Sequence, residues 1–199
     1  MNNKEYLGDL IGGSLMIADC RIIAETLLKN LPEDEWKKLV IEENILQKKS
    51  VNTASRNAYT LRKRLEPLGR KFLQTLLDVP EQAYIQLLLM AFLIHSPVVV
   101  DFMQKSLAEA KRTYKPGITP DAWAEFIEDR IRAYPELGKY SESTLKKMGN
   151  NVVKALVDSG YLNSSRQRQI QAVYLLPEVK ACLSDLGHED LINIMECTA

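Results

Sequence analysis

Hydrophobic residues recur at helical spacing along most of the chain. Leu15, Ile22, Ile23, Leu27 and Leu28 predict a first helix that ends near Asn30, capped at its start by Ser14 after Gly12-Gly13. Pro32 followed by Glu33, Asp34 and Glu35 predicts the start of a second, because acids in the first turn suit the helix dipole, and Trp36, Leu39, Val40 and Leu46 form its buried side. A third helix begins at Asn52 or Thr53, with Ala54, Ala58, Leu61 and Leu65 at i, i+4, i+7 and i+11 on one apolar stripe. A fourth covers about Gly69 to Leu77. Pro80-Glu81 opens a fifth, and Ser96-Pro97 opens a sixth that runs through Phe102, Met103 and Leu107 toward Tyr114.

Helix breakers then concentrate in Lys115-Pro116-Gly117-Ile118-Thr119-Pro120, the expected domain boundary. Beyond it, Trp123, Phe126, Ile127 and Ile131 mark another helix, which breaks around Pro135 to Gly138. The next is capped at Ser141 or Ser143, buries Leu145, Met148, Val152 and Leu156, and stops at Ser159-Gly160. A polar stretch, NSSRQRQ, leads to IQAVYLL at Ile170 to Leu176, where strand-forming residues dominate. The expected fold is mainly α: a helical bundle over residues 1–115, then a winged helix-turn-helix-like unit with a short β-hairpin and a C-terminal helix over residues 116–199.

Composition supports a real core, since 46% of residues are hydrophobic and 26% charged. The most apolar stretch, Tyr84 to Val100, is expected to be a buried central helix: its run before His95 is about half of the roughly 20 residues a bilayer core requires, and Ser96-Pro97 interrupts it. Cys20, Cys182 and Cys197 are odd in number and show no CxxC spacing, as expected of free thiols in a reducing cytoplasm. The first residues lack the pattern of a signal peptide.

Bases and acids balance over the whole chain, 26 of each, so net charge alone gives no reason to expect a polyanion. Their distribution changes that. From Lys48 to Lys71 there are eight bases, Lys48, Lys49, Arg56, Arg62, Lys63, Arg64, Arg70 and Lys71, against the single acid Glu66. On the third helix Asn52, Arg56, Tyr59 and Lys63 cluster opposite the apolar stripe, where cations can neutralise phosphates and amide, guanidinium and phenol groups can read or stack on bases. The helix from Ser143 repeats the arrangement with Ser143, Lys147, Asn150 and Lys154, and Arg166 and Arg168 occupy the expected wing tip. These positions, with Lys48, Lys49 and Arg62, form the candidate DNA-binding set. A solvated helix face and a protein-docking wing are the competing readings.

Enzyme signatures are not found. His95 and His188 stand far apart without metal-ligand spacing, IGGSLMIAD has neither phosphate-loop nor dinucleotide-loop form, and no GxSxG or Cys-His arrangement occurs. No catalytic group, metal or cofactor is therefore expected.

Four segments together carry a family resemblance: LLKNLPEDEW, IEENILQKKSVNTASRNAYTLRKRL, AYIQLLLMAFLIHSPVVVDFMQ and STLKKMGNNVVKALVDSGYL. Over nearly its whole length the chain resembles the BrxA family of bacterial BREX phage-defence systems, whose members carry a NusB-like helical region. The resemblance implies a cytoplasmic, non-enzymatic accessory protein that binds double-stranded DNA and works with other BREX proteins; the family has also been labelled an inner-membrane protein, but the interrupted apolar run is expected not to insert into membrane. Two alternatives remain: a scaffold that docks other proteins of the defence complex, and a NusB-like RNA binder, for which splayed bases would need aromatic or arginine platforms.

Overall fold

The computed structural model describes residues 3–197, and among them the chain forms twelve α-helices and no extended β-strand. In order these are α1 (Asn3–Leu7), α2 (Ile17–Leu28), α3 (Glu33–Lys37), α4 (Val51–Leu65), α5 (Gly69–Asp78), α6 (Glu81–His95), α7 (Pro97–Phe102), α8 (Glu109–Arg112), α9 (Ala122–Ala133), α10 (Glu142–Asp158), α11 (Pro177–Asp185) and α12 (Asp190–Glu196). A π-helical turn, Lys38–Glu42, extends α3, and another, Met103–Ala108, joins α7 to α8 as one continuous rod.

Helix α6 is the centre. Its residues from Leu87 to Leu93 are all buried, so it is apolar all round because it is covered all round by α2, α4, α5, α7 and α11. At Ser96-Pro97 the rod of α7 and α8 leaves it at 107°, and no single helix among the described residues is long and apolar enough to cross a membrane. The expected stripes are where burial is deepest: Ala54, Ala58, Leu61 and Leu65 on α4, and Met148, Val152 and Leu156 on α10, with Leu145 half-buried. One core runs through the molecule, and across the breaker-rich segment Phe102 meets Trp123 and Phe126 edge-on at centroid distances of 5.3 Å each. Gly149 allows Trp123 to lie against α10, since a Cβ there would overlap the indole, and Trp123 Nε1 donates to Leu145 O at 2.8 Å. All three cysteines are free and buried.

Two local expectations are corrected. Ser14 does not cap α2: that helix starts after Met16 in the left-handed region, and the Ser14 carbonyl instead accepts from the buried Arg64 guanidinium at 2.5 Å. The β-hairpin is reduced to two isolated antiparallel bridges, Gly117 with Gln169 and Leu162 with Ile170. Beyond Ile170 both neighbours leave, because the chain folds into α10 before Tyr161 and comes out of α8 before Pro116. Residues 171–176 therefore run extended without a ladder, despite their strand-forming side chains.

Candidate nucleic-acid interface

Ser50 caps α4, accepting from Thr53 N at 3.2 Å, so the helix begins one residue before the expected start. Its bases are mostly taken. Lys48 Nζ lies 2.8 Å from Asp19 Oδ1, and Asn57 holds the other oxygen of that carboxylate at 3.1 Å. Arg62 lies over the Trp36 ring and reaches Glu33 at 2.7 Å and Glu66 at 3.1 Å; those carboxylates hold its guanidinium above its ordinary value, while Arg62 draws Glu33 below its own. Tyr59 donates to Glu33 at 3.2 Å. Lys63 is 3.6 Å from Asp9, and Lys71 is 2.6 Å from Asp185.

Arg64 is not on the surface at all. It stacks on Phe92 and donates to the carbonyls of Gly13 and Ser14 at 2.8 and 2.5 Å, and burial pushes it down to about 10. Arg70 donates to Leu28 O at 2.9 Å. Of the eight bases only Lys49 and Arg56, both exposed, make no ion pair or side-chain hydrogen bond among the described residues, and Asn52 beside them is likewise exposed.

Helix α10 differs. Ser141 caps it at 3.3 Å to Thr144 N, and Ser143 hydrogen-bonds to that cap at 3.0 Å. Lys147 and Asn150 are exposed and unpaired among the described residues, while Lys154 pairs within its own helix with Asp158 at 3.0 Å. Lys146, absent from the candidate set, is equally exposed and free. Helical spacing could have found it, since it stands three residues after Ser143 and four before Asn150.

The wing-tip arginines separate. Arg166 is exposed and unpaired among the described residues. Arg168 is a clamp: at φ 54° it donates to the carbonyls of Thr119 and Pro120 at 3.2 and 2.7 Å and to Ser165 O at 3.0 Å, tying the turn to the segment before α9.

The loop from Asp9 to Gly13, which carried no candidate residue, brings the two helix faces together. Asn151 of α10 donates to Leu10 O at 2.6 Å, and on the other side Gly12 sits against Thr60 of α4, where a Cβ would overlap the Thr60 side chain. Arg56 and Lys63 stand one turn to either side of Thr60, and Lys147 and Lys154 one turn to either side of Asn151. The two stripes therefore flank one loop, with Ile11 39% exposed between them. Asp9, held below the ordinary carboxylate value chiefly by His95 and also by Lys63, lies at the edge of this strip. Lys48 and Lys49 lie at the N-terminal end of α4, and Arg166 lies past the C-terminal end of α10.

No group of three or more metal-ligating side chains occurs among the described residues. A surface cleft of about 440 Å³ is lined by Ile17, Arg21, Glu25, Glu81 and Tyr84.

Comparison with known proteins gives a consistent set. The family model named BrxA matches residues 4–187. A protein of Escherichia coli O9:H4 (strain HS) named "BREX protein BrxA" is 44% identical over 195 residues, covering 98% of this chain and 92% of that one. A second of that name, from Paramagnetospirillum magneticum (strain ATCC 700264 / AMB-1), is 30% identical over 196 residues and covers 98% of each. The crystal structure of an uncharacterized protein from Magnetospirillum magneticum superposes with a TM-score of 0.88 at 28% identity, over 98% of this chain and 100% of that one.

Proposed function

The chain belongs to the BrxA family, and from that premise we propose that it is a non-enzymatic accessory protein of a BREX phage-defence system that binds duplex DNA. One observation carries the reading: the Asp9–Gly13 loop joins the exposed faces of α4 and α10, so that Arg56 and Lys147, each free of acid partners among the described residues, flank it. Free cations on one strip can each release a counterion from a phosphate, and Asn52 and Asn150 are suited to base edges. Lys49, Lys146 and Arg166 extend the charge. The paired cations Lys48, Arg62 and Lys63 serve chiefly to hold the loop and α4 in place.

The division at 115/116, the NusB-like character of the first part and the winged character of α9, α10 and the 163–169 turn belong to the same proposal. In the winged reading Arg166 approaches the backbone of the duplex while Arg168 fixes the turn that presents it.

Fluorescence anisotropy with a labelled duplex across a salt series tests the proposal. If Lys49, Arg56, Lys146, Lys147 and Arg166 all meet phosphates, log Kd changes with log salt with a slope of about 4 to 5. No binding at low salt overturns it, and preference for single-stranded RNA in direct competition replaces it with the NusB-like reading.

A further inference from the structure

The segment after the second bridge is unusual in what it leaves open. Gln169 and Ile170 are paired on both sides, but from Ala172 to Leu175 no backbone bridge follows on either edge. Among the described residues the backbone N–H groups of Ala172, Val173, Tyr174 and Leu175 donate to no protein atom, and the carbonyls of Ala172 and Val173 accept from none.

This openness is not looseness. Gln171 N donates to Tyr161 O at 2.9 Å, and Gln86 grips the segment further on: its Nε2 donates to Tyr174 O at 2.9 Å while its Oε1 accepts from Leu176 N at 3.0 Å. Gln86 is 3% exposed, so a buried side-chain amide stands where a neighbouring strand's peptide group would. Val173 and Leu175 turn toward the core, and Ala172 and Tyr174 turn out, with Tyr174 79% exposed. The strand alternation is thus set before any partner strand exists.

Open edges are usually blunted by lysine, proline or an inward charge. From Gln169 to Leu176 there is no charge and no proline. The missing partner must offer alternating carbonyl and N–H groups at about 3.4 Å per residue, which an extended polypeptide does and phosphates, sugars and bases do not. Beside the start of the segment, Pro116 O accepts from Ile170 N, and there Lys115 is exposed without an ion pair among the described residues and Tyr114 is 96% exposed. A stable symmetric dimer needs about 1,200 Å² or more of buried surface, far beyond a four-residue edge, so a second copy is the poorer fit.

We propose that residues 172–175 are a docking edge for an extended segment of another polypeptide, uncharged in its middle and acidic at the end lying against Lys115, which adds as a β-strand and covers Tyr174. The proposal is independent of DNA binding, since it uses neither α4 nor the free bases of α10.

The test uses the full chain labelled with 15N and a synthetic octapeptide, two glutamates followed by alternating threonine and valine. In the free protein the amides of Ala172, Val173 and Tyr174 should exchange fast. At millimolar peptide, exchange at Ala172 and Tyr174, which face the side of Pro116 and Lys115, should slow by about tenfold or more while that at Val173, facing the other way, stays fast, and a control peptide with proline at every second position should leave all three unchanged. Ala172→Pro removes a donor that has no acceptor, so it should melt like the parent chain and lose the protection. Protection of these amides in the free protein at all concentrations overturns the proposal, as does no change with peptide or an equal effect of the proline control. Protection that rises with protein concentration alone assigns the edge to a second copy, and protection by duplex DNA assigns it to nucleic acid; both also overturn it.

Discussion

On α4, Arg62 and Lys63 meet carboxylates brought in from Glu33, Glu66 and Asp9, whereas on α10 Lys146 and Lys147 meet none among the described residues. The two helices have the same pattern, an apolar stripe with bases opposite, and nearly the same propensities. They differ in what packs beside them. Helix α4 lies against α2, α6 and the π-helical extension of α3, whose segments carry Asp19 and Glu33 to within reach of its bases. The outer face of α10 borders solvent. Charge counted along a chain therefore overstates the field at the surface wherever the helix is enclosed, and the more heavily charged helix contributes fewer free cations per turn.

The sharpest way to break this contrast is through stability. Arg64 of α4 holds three backbone carbonyls, those of Asp9, Gly13 and Ser14, in a site that is 4% exposed. Arg64→Ala should cost about 3 to 5 kcal/mol, because it leaves buried acceptors unsatisfied and a cavity over Phe92. Lys147→Ala on α10 should stay within about 0.5 kcal/mol. Urea midpoints compare the two, and equal midpoints would remove the structural role given to the α4 bases.

Binding should reverse the ranking. Lys146→Glu with Lys147→Glu should weaken duplex binding by more than about tenfold and flatten the salt slope by about 2. Arg62→Gln should change it by less than about threefold, since that guanidinium already has two carboxylate partners. Among α4 variants Arg56→Gln should have the largest effect, about three- to tenfold and the same for every sequence. A larger loss at Arg62 than at Lys147 would show that the ion pairs open when DNA arrives.

These expectations mark how far the sequence could be read. Helix starts and stops followed from prolines, caps and apolar spacing because each depends on residues within a turn, and α4, α5, α6 and α10 lie within a residue or two of their expected positions. The buried stripes were legible for the same reason. The ion pairs of Lys48, Lys63 and Lys71 were not, because they span 29, 54 and 114 positions and depend on tertiary placement. The 170–176 segment misled in another way: its propensity was read correctly, but strand formation needs a neighbouring strand, and no backbone pairing continues beyond Gln171. The Asp9–Gly13 loop carried no charge cluster or motif, so its place between the two helices had no signal at all.

Asp9 offers a smaller test at the junction itself. Its folded-state value is depressed by His95 and Lys63, so the stability it contributes is present above the unfolded value, about 4, and is lost as pH falls through the lower folded value. Asp9→Asn should lower stability at pH 7 by no more than about 1 kcal/mol and flatten the loss between about pH 4 and 2. Denaturation midpoints across that range read it. An unchanged acid limb would mean that the loop is held by Asn151 and Arg64 alone.

The smallest expected effect separates pairing from position. Glu33→Gln keeps the size of the side chain and removes one of the two carboxylates on Arg62, leaving Glu66 at 3.1 Å. Exposed pairs of this kind contribute little to stability, so folding should be almost unaffected. If enclosure by acids is what silences α4, freeing Arg62 should strengthen duplex binding by about twofold and steepen the salt slope by a few tenths. Position alone, with Arg62 pointing away from the strip that Arg56 and Lys147 define, predicts no change. A gain in Glu33→Gln that disappears in Glu33→Gln with Arg62→Gln would assign the effect to that one cation, and so tie the difference between the helices to the acids around them.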